Sequence, residues 1–65
     1  MKQLDKLIKS LNKKAEMHKH LSEVNKSEGM NDTAFYNEGI AEGIWKAIEE
    51  IEEANTSINI QINNL

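Results

Sequence analysis

The stretch Ala41-Glu42-Gly43-Ile44-Trp45-Lys46-Ala47-Ile48-Glu49-Glu50-Ile51-Glu52-Glu53-Ala54-Asn55 decides the fold class. Here and just beyond, Ile44, Ile51, Ile58 and Leu65 stand seven residues apart, and Ala41, Ile48, Asn55 and Ile62 form a second row offset by three. Two apolar rows repeating in this way are the d and a positions of a helical heptad seam, and no strand reproduces them. Ile40, Ala47 and Ala54 widen the seam at g. A single Asn at an a position sets register and oligomer state in many coiled coils, which is the place Asn55 holds, although an Asn facing water near a frayed helix end fits it as well.

Beyond Asn55 the reading divides. Ser57-Ile58-Asn59-Ile60-Gln61-Ile62-Asn63 alternates apolar and polar with period two, which suits an edge strand, while Ile58, Ile62 and Leu65 continue the helical stripe. Helix is preferred, with strand and flexible tail as the alternatives. Working toward the N-terminus, the second helix begins near residue 32, with Asn31 or Asp32 as its N-cap. Ser27, Gly29, Asn31 and Asp32 mark a loop at about 27–31. Before it, Leu4, Leu7, Ile8, Leu11, Ala15, His18 and Leu21 recur at spacings of three and four, so a first helix covers about 3–26. Its stripe weakens at Ser22 and Asn25, where fraying is expected. The expected fold is all-α: one domain over residues 1–65, an antiparallel two-helix hairpin whose longer second helix overhangs the first. The overhang should meet another subunit, with Ile44, Ile48, Ile51, Asn55, Ile58, Ile62 and Leu65 as the self-association seam and a dimer as the default.

Composition narrows the class. The 65 residues contain no Cys and no Pro, which removes disulfide frameworks and thiolate metal sites. Residues 1–28 carry seven Lys against four acids, and residues 29–65 carry one Lys against seven acids, for a net charge of −3. The two helices should therefore attract along their flanks. Lys2, Lys6, Lys9 and Lys13 line one face but lack Arg and interleaved aromatics, so direct nucleic-acid binding is not expected. No apolar run reaches the roughly 18 residues of a membrane span, and the start has no signal-peptide core, so the expected location is the cytoplasm.

Gly39 and Gly43 form a smooth strip in the second helix, and since each Gly costs about 1 kcal/mol against Ala there, close approach of another backbone is expected, from helix one or from a partner. Tyr36 beside that strip and Trp45 at the edge of the seam are the candidate partner anchors, together with the two glycines. His18 lies in the apolar stripe, as a hydrogen-bonded core residue rather than a ligand, and His20 points about 200° away from it, so the two cannot chelate one ion.

No catalytic set is legible: there is no Cys nucleophile, Gly-rich phosphate loop or nucleophile elbow. Glu49-Glu50-Ile51-Glu52-Glu53 is similar, over five residues, to the Glu-Glu-x-x-Glu metal-binding helix of all-helical nucleotide pyrophosphatases of the MazG type. That family's second acidic motif has no counterpart after Glu53, so no enzyme, metal or cofactor assignment is carried over. The expected function is a small non-enzymatic interaction protein, a regulator, inhibitor or adaptor binding a larger protein. A Lys-, Asn- and Ile-rich composition without Arg suggests AT-rich coding and a bacterial or phage accessory role of the anti-defence or host-takeover type. The alternatives are an oligomeric binder of small anionic ligands such as nucleotides at subunit interfaces, and an acidic nucleic-acid mimic built on Glu38, Glu42, Glu49, Glu50, Glu52 and Glu53.

Overall fold

The fold is given by a computed structural model, which describes the backbone of residues 2–63 and the side chains of residues 3–56. Two helices account for nearly all of it: α1, Lys2–Ser27, and α2, Asn31–Asn63. They pack against each other as an antiparallel hairpin 56 Å long. The direction follows from which residues meet. His18 and Lys19 of α1 reach Asn37 and Glu38 at the start of α2, while Leu4 and Ile8 share a groove with Asn55 and Thr56.

The turn is built by backbone chemistry. Gly29 has φ 77°, the left-handed conformation that a side chain strains, and it stands two residues past the end of α1. From there the Gly29 N–H donates to the Lys26 carbonyl at 3.1 Å and the Met30 N–H donates to the Asn25 carbonyl at 2.8 Å. These two bonds are the Schellman arrangement, which satisfies carbonyls that the helix end leaves open. The expected fraying near Ser22 and Asn25 does not occur: α1 runs regularly to Ser27. The first bond of α2 goes to the Met30 carbonyl, from Ala34 N–H at 2.9 Å, so Met30 occupies the cap position. Asn31 and Asp32, expected as caps, fall instead within the first turn, where the charge of Asp32 still faces the positive end of the helix.

At its other end α2 stays helical through Asn63, so the strand alternative for residues 57–63 is replaced by helix. The expected side-chain roles of Ile58, Ile62 and Leu65 lie outside the described residues. Since α2 has 33 residues to the 26 of α1, its last turns run past the N-terminal end of α1.

The contact line is a heptad seam on both helices. On α1 it runs through Leu4, Ile8, Leu11, Ala15, His18, Ser22 and Asn25; on α2 it runs through Ala34, Asn37, Ala41, Ile44, Ile48, Ile51 and Asn55, and all of these are buried or half-buried. Among the described residues the fully inward apolar ones are Ala15, Ala34, Ala41 and Ile48. Three of the four are alanines, so the helices meet with small side chains between them, and Ile48 supplies the largest single burial, about 2 kcal/mol. Leu7 and Leu21, placed in the stripe by their spacing, are 49% and 39% exposed. They sit beside the seam, because one partner helix covers a narrower arc than the wide stripe that spacings of three and four allow.

The glycine strip departs from expectation most clearly. A Cβ built on Gly39 or on Gly43 meets nothing within 4 Å, so α1 does not approach α2 there. The helix rotation explains it: the close contact to α1 belongs to Ala34 and Ala41, and Gly39 lies nearly opposite them. Within this hairpin nothing offsets the helix cost of the two glycines. Gly39→Ala and Gly43→Ala should each raise stability of the isolated chain by up to about 1 kcal/mol, visible as a higher midpoint in thermal circular-dichroism melts.

Candidate functional site

Near the turn the seam changes from apolar to polar. Asn37, only 8% exposed, projects from α2 toward a position on α1 bounded by His18, Ser22 and Asn25, the i, i+4 and i+7 residues that form a hole for a knob. Its Oδ1 accepts from His18 Nδ1 at 2.9 Å, and its Nδ2 donates to Asn25 Oδ1 at 2.9 Å. An amide oxygen only accepts, so the bond requires a proton on Nδ1 of His18. His18 is thus the hydrogen-bonded, half-buried residue its place in the stripe suggests. Ser22, between the two α1 partners, is fully buried and its Oγ has no hydrogen-bond partner.

One residue on, Glu38 repeats the bracketing geometry with charge. Its Oε1 takes Lys19 Nζ at 3.2 Å and its Oε2 lies 3.7 Å from Lys26 Nζ. The Lys19 hydrogen bond and charge, with the charge of Lys26, hold the Glu38 carboxyl below its ordinary value of 4.5. Among the described residues the flank attraction expected from the charge split is concentrated here, on one acid and two lysines.

These pairs give the hairpin a front and a back. Residues on a helix advance by about 100° each, so Lys19 and Lys26 stand on one side of the α1 seam and Leu7 and Leu21 on the other. On α2 the same rotation puts Glu38, Trp45 and Glu52 toward the front, and Ile40, Ala47, Ile51 and Ala54 toward the back. The front is charged and grooved: one open groove lies among Leu4, Ile8, Asn12, Glu52, Asn55 and Thr56, and another is lined by Glu49, Glu52, Glu53 and Thr56. The back has Lys14 on its α1 side and is otherwise apolar or small in its central band.

The candidate residues distribute accordingly. Of the expected self-association seam, Ile48 is buried against α1, while Ile44, Ile51 and Asn55 are half-buried at its edges. Trp45 is half-buried, whereas Tyr36, Gly39 and Gly43 are exposed. Phe35, not singled out as an anchor by the sequence reading, is 68% exposed beside Tyr36 at 70%. Its exposure was legible only from the seam, since Ala34 and Asn37 face inward and force Phe35 and Tyr36 out. Among the described residues no group of three or more His, Asp or Glu side chains forms a metal site, His20 with its neighbouring glutamates included, and no described helix is long and apolar enough to cross a membrane.

Two outcomes are expected. Ser22→Ala removes a buried hydroxyl that has no partner, so unfolding in urea should show unchanged or raised stability, by up to about 1 kcal/mol, where loss of a buried Leu would cost several. Because the Glu38 pKa is lowered on folding, its contribution is present above 4.5 and is lost as pH falls through the folded value. Melts of the wild type should therefore lose stability below pH 4.5 more steeply than melts of Glu38→Gln. Compared with known protein families, curated proteins and solved structures, the chain finds no match.

Proposed function

We propose that this chain is a small, non-enzymatic, self-associating helical interaction protein that acts in the cytoplasm by occupying a surface of a larger protein. The observation that carries the reading is the pair Phe35 and Tyr36, both more than two-thirds exposed in the first turns of α2, next to exposed Met30 at the turn. Aromatic rings on a rigid helix close to a tight turn lose little side-chain freedom on docking, and Tyr and Trp are enriched among residues that dominate binding energies. Trp45 and the bare backbone at Gly39 and Gly43 extend the candidate surface along α2. The AT-rich type of composition supports a bacterial or phage accessory protein, a regulator, inhibitor or adaptor of a host enzyme or defence system.

A second reading has its own observation: the groove lined by Glu49, Glu52 and Glu53 offers an acidic face of the kind a nucleic-acid mimic needs. One experiment separates the two. Tagged wild type, Phe35→Ala and Tyr36→Ala are used to capture proteins from source-cell lysate at low and high salt, with helicity checked by circular dichroism. The aromatic reading expects about tenfold or greater loss of the captured partner in either variant, with little dependence on salt. Capture indifferent to both substitutions overturns it, and capture that also collapses with rising salt supports the acidic face instead.

A further inference from the structure

The back of the hairpin presents Leu7 and Leu21 from α1 with Ile40, Ala47 and Ile51 from α2, and the two leucines stay about half exposed. This face is continuous with the seam that joins the helices, sharing Ile44 and Ile51 at its edge. The chain exposes 5240 Å², about 1000 Å² more than the roughly 4200 Å² of a compact monomer of its mass. A standard interface buries about 800 Å² on each partner, which is most of that excess. Among the described residues four apolar side chains are fully inward, and chains of this size commonly reach stability by oligomerising.

Charge says what the occupant is and how it sits. Within the helices, α1 carries seven Lys and three acids, while α2 carries one Lys and seven acids. On the back of α1 stands Lys14 and on the back of α2 stands Glu50, while Lys6 and Lys13 of α1 and Asp32 and Glu53 of α2 form the lateral edges, opposite the seam. Two hairpins stacked back to back can be related by a twofold axis perpendicular to the helices, which lays α1 on α1 and α2 on α2, like charge on like. They can instead be related by an axis parallel to the helices, which lays α1 of each on α2 of the other. Leu4 and Ile8 lie level with Asn55 and Thr56, so the second arrangement brings Lys6 of one copy to the height of Glu53 in its neighbour.

We propose that the back face is covered by a second copy of this chain, related by a twofold axis parallel to the helices. The product is a four-helix bundle in which every neighbouring pair is antiparallel and both turns, with both Phe35 and Tyr36 pairs, lie at one end. The inference rests on the self-associating reading above and assigns its surface and symmetry. It also gives the exposed Ala47 a setting in which a neighbouring helix approaches it.

The test is absolute mass by sedimentation equilibrium on wild type and Ala47→Glu, with a distance measurement between spin labels at Glu28→Cys in the turn. Ala47 is exposed, so a charge there leaves the single hairpin intact, as circular dichroism at matched concentration verifies. Expected are a dimeric wild type, at least a tenfold weaker dimer in Ala47→Glu, and labels separated by about two helix diameters, roughly 20–25 Å. A monomeric wild type, or an Ala47→Glu chain that dimerises as well as wild type, overturns the assignment of the face. A dimer whose labels stand near the 56 Å length of the hairpin overturns the parallel axis. Phe35 points away from the back face, so capture by Phe35→Ala succeeds or fails independently of the mass, whereas Tyr36, seven residues before Gly43, borders that face.

Discussion

Two helices separated by only Glu28, Gly29 and Met30 can do little but run back along each other, and the left-handed Gly29 determines the path. Every contact between α1 and α2 depends on that reversal. Because the turn is so short, the side chains beside it must fit where the helices are brought together first, and these are Ser22, Asn25, Ala34 and Asn37. Larger aliphatic groups, Leu4, Ile8, Leu11, Ile44, Ile48 and Ile51, come into the seam only with distance from the turn. Small residues near the hinge and branched ones farther away make a hairpin that is close-packed at one end and more apolar at the other.

The polar end contributes selectivity more than energy. A neutral hydrogen bond contributes about 1 kcal/mol net, and replacing a satisfied pair by apolar groups of the same shape is often neutral. What Asn37 supplies is a match: its oxygen needs the His18 N–H and its amide N–H needs the Asn25 oxygen, seven residues apart on α1. A heptad slip of α2 along α1 would keep apolar rows facing each other but would set Asn37 among Leu11, Ala15 and His18, away from Asn25, leaving its buried amide N–H without that acceptor. Glu38 reinforces the same alignment from outside through Lys19 and Lys26. The register is thereby specified at the turn, where the aliphatic seam alone is repetitive and ambiguous.

Helix existence, the turn and the antiparallel pairing were legible because apolar spacing and the Gly29 cluster report them directly. The residues that organise the seam were not. Ser22, Asn25 and Asn37 weaken a hydropathy pattern, so the stripe looked as if it ended, when in fact it continued through side chains that hydrogen-bond or are simply small. Position, read strictly in sevens from Ile8 and Ala15 to Ser22 and from Ile51 and Ile44 back to Asn37, would have found two of them. Gly39 and Gly43 failed for a different reason: a missing side chain permits another backbone to approach but does not say from which direction. Phe35 is not distinguished by spacing alone, and only the inward rotation of its neighbours Ala34 and Asn37 shows that it faces water.

The separation in sequence between facing residues rises steadily along the hairpin, from 12 for Asn25 and Asn37 to 51 for Leu4 and Asn55. Closing the longer loop directly from the unfolded chain would cost about 1.3 kcal/mol more in chain entropy than closing the shorter one. The economical route is therefore to form the turn and its Asn37 layer first and let each further heptad close against ordered neighbours. Folding becomes a zipper that starts at Gly29, and the sequence has placed its most discriminating contacts where the zipper starts. An alignment error is then rejected before the aliphatic heptads, which would tolerate it, have come together.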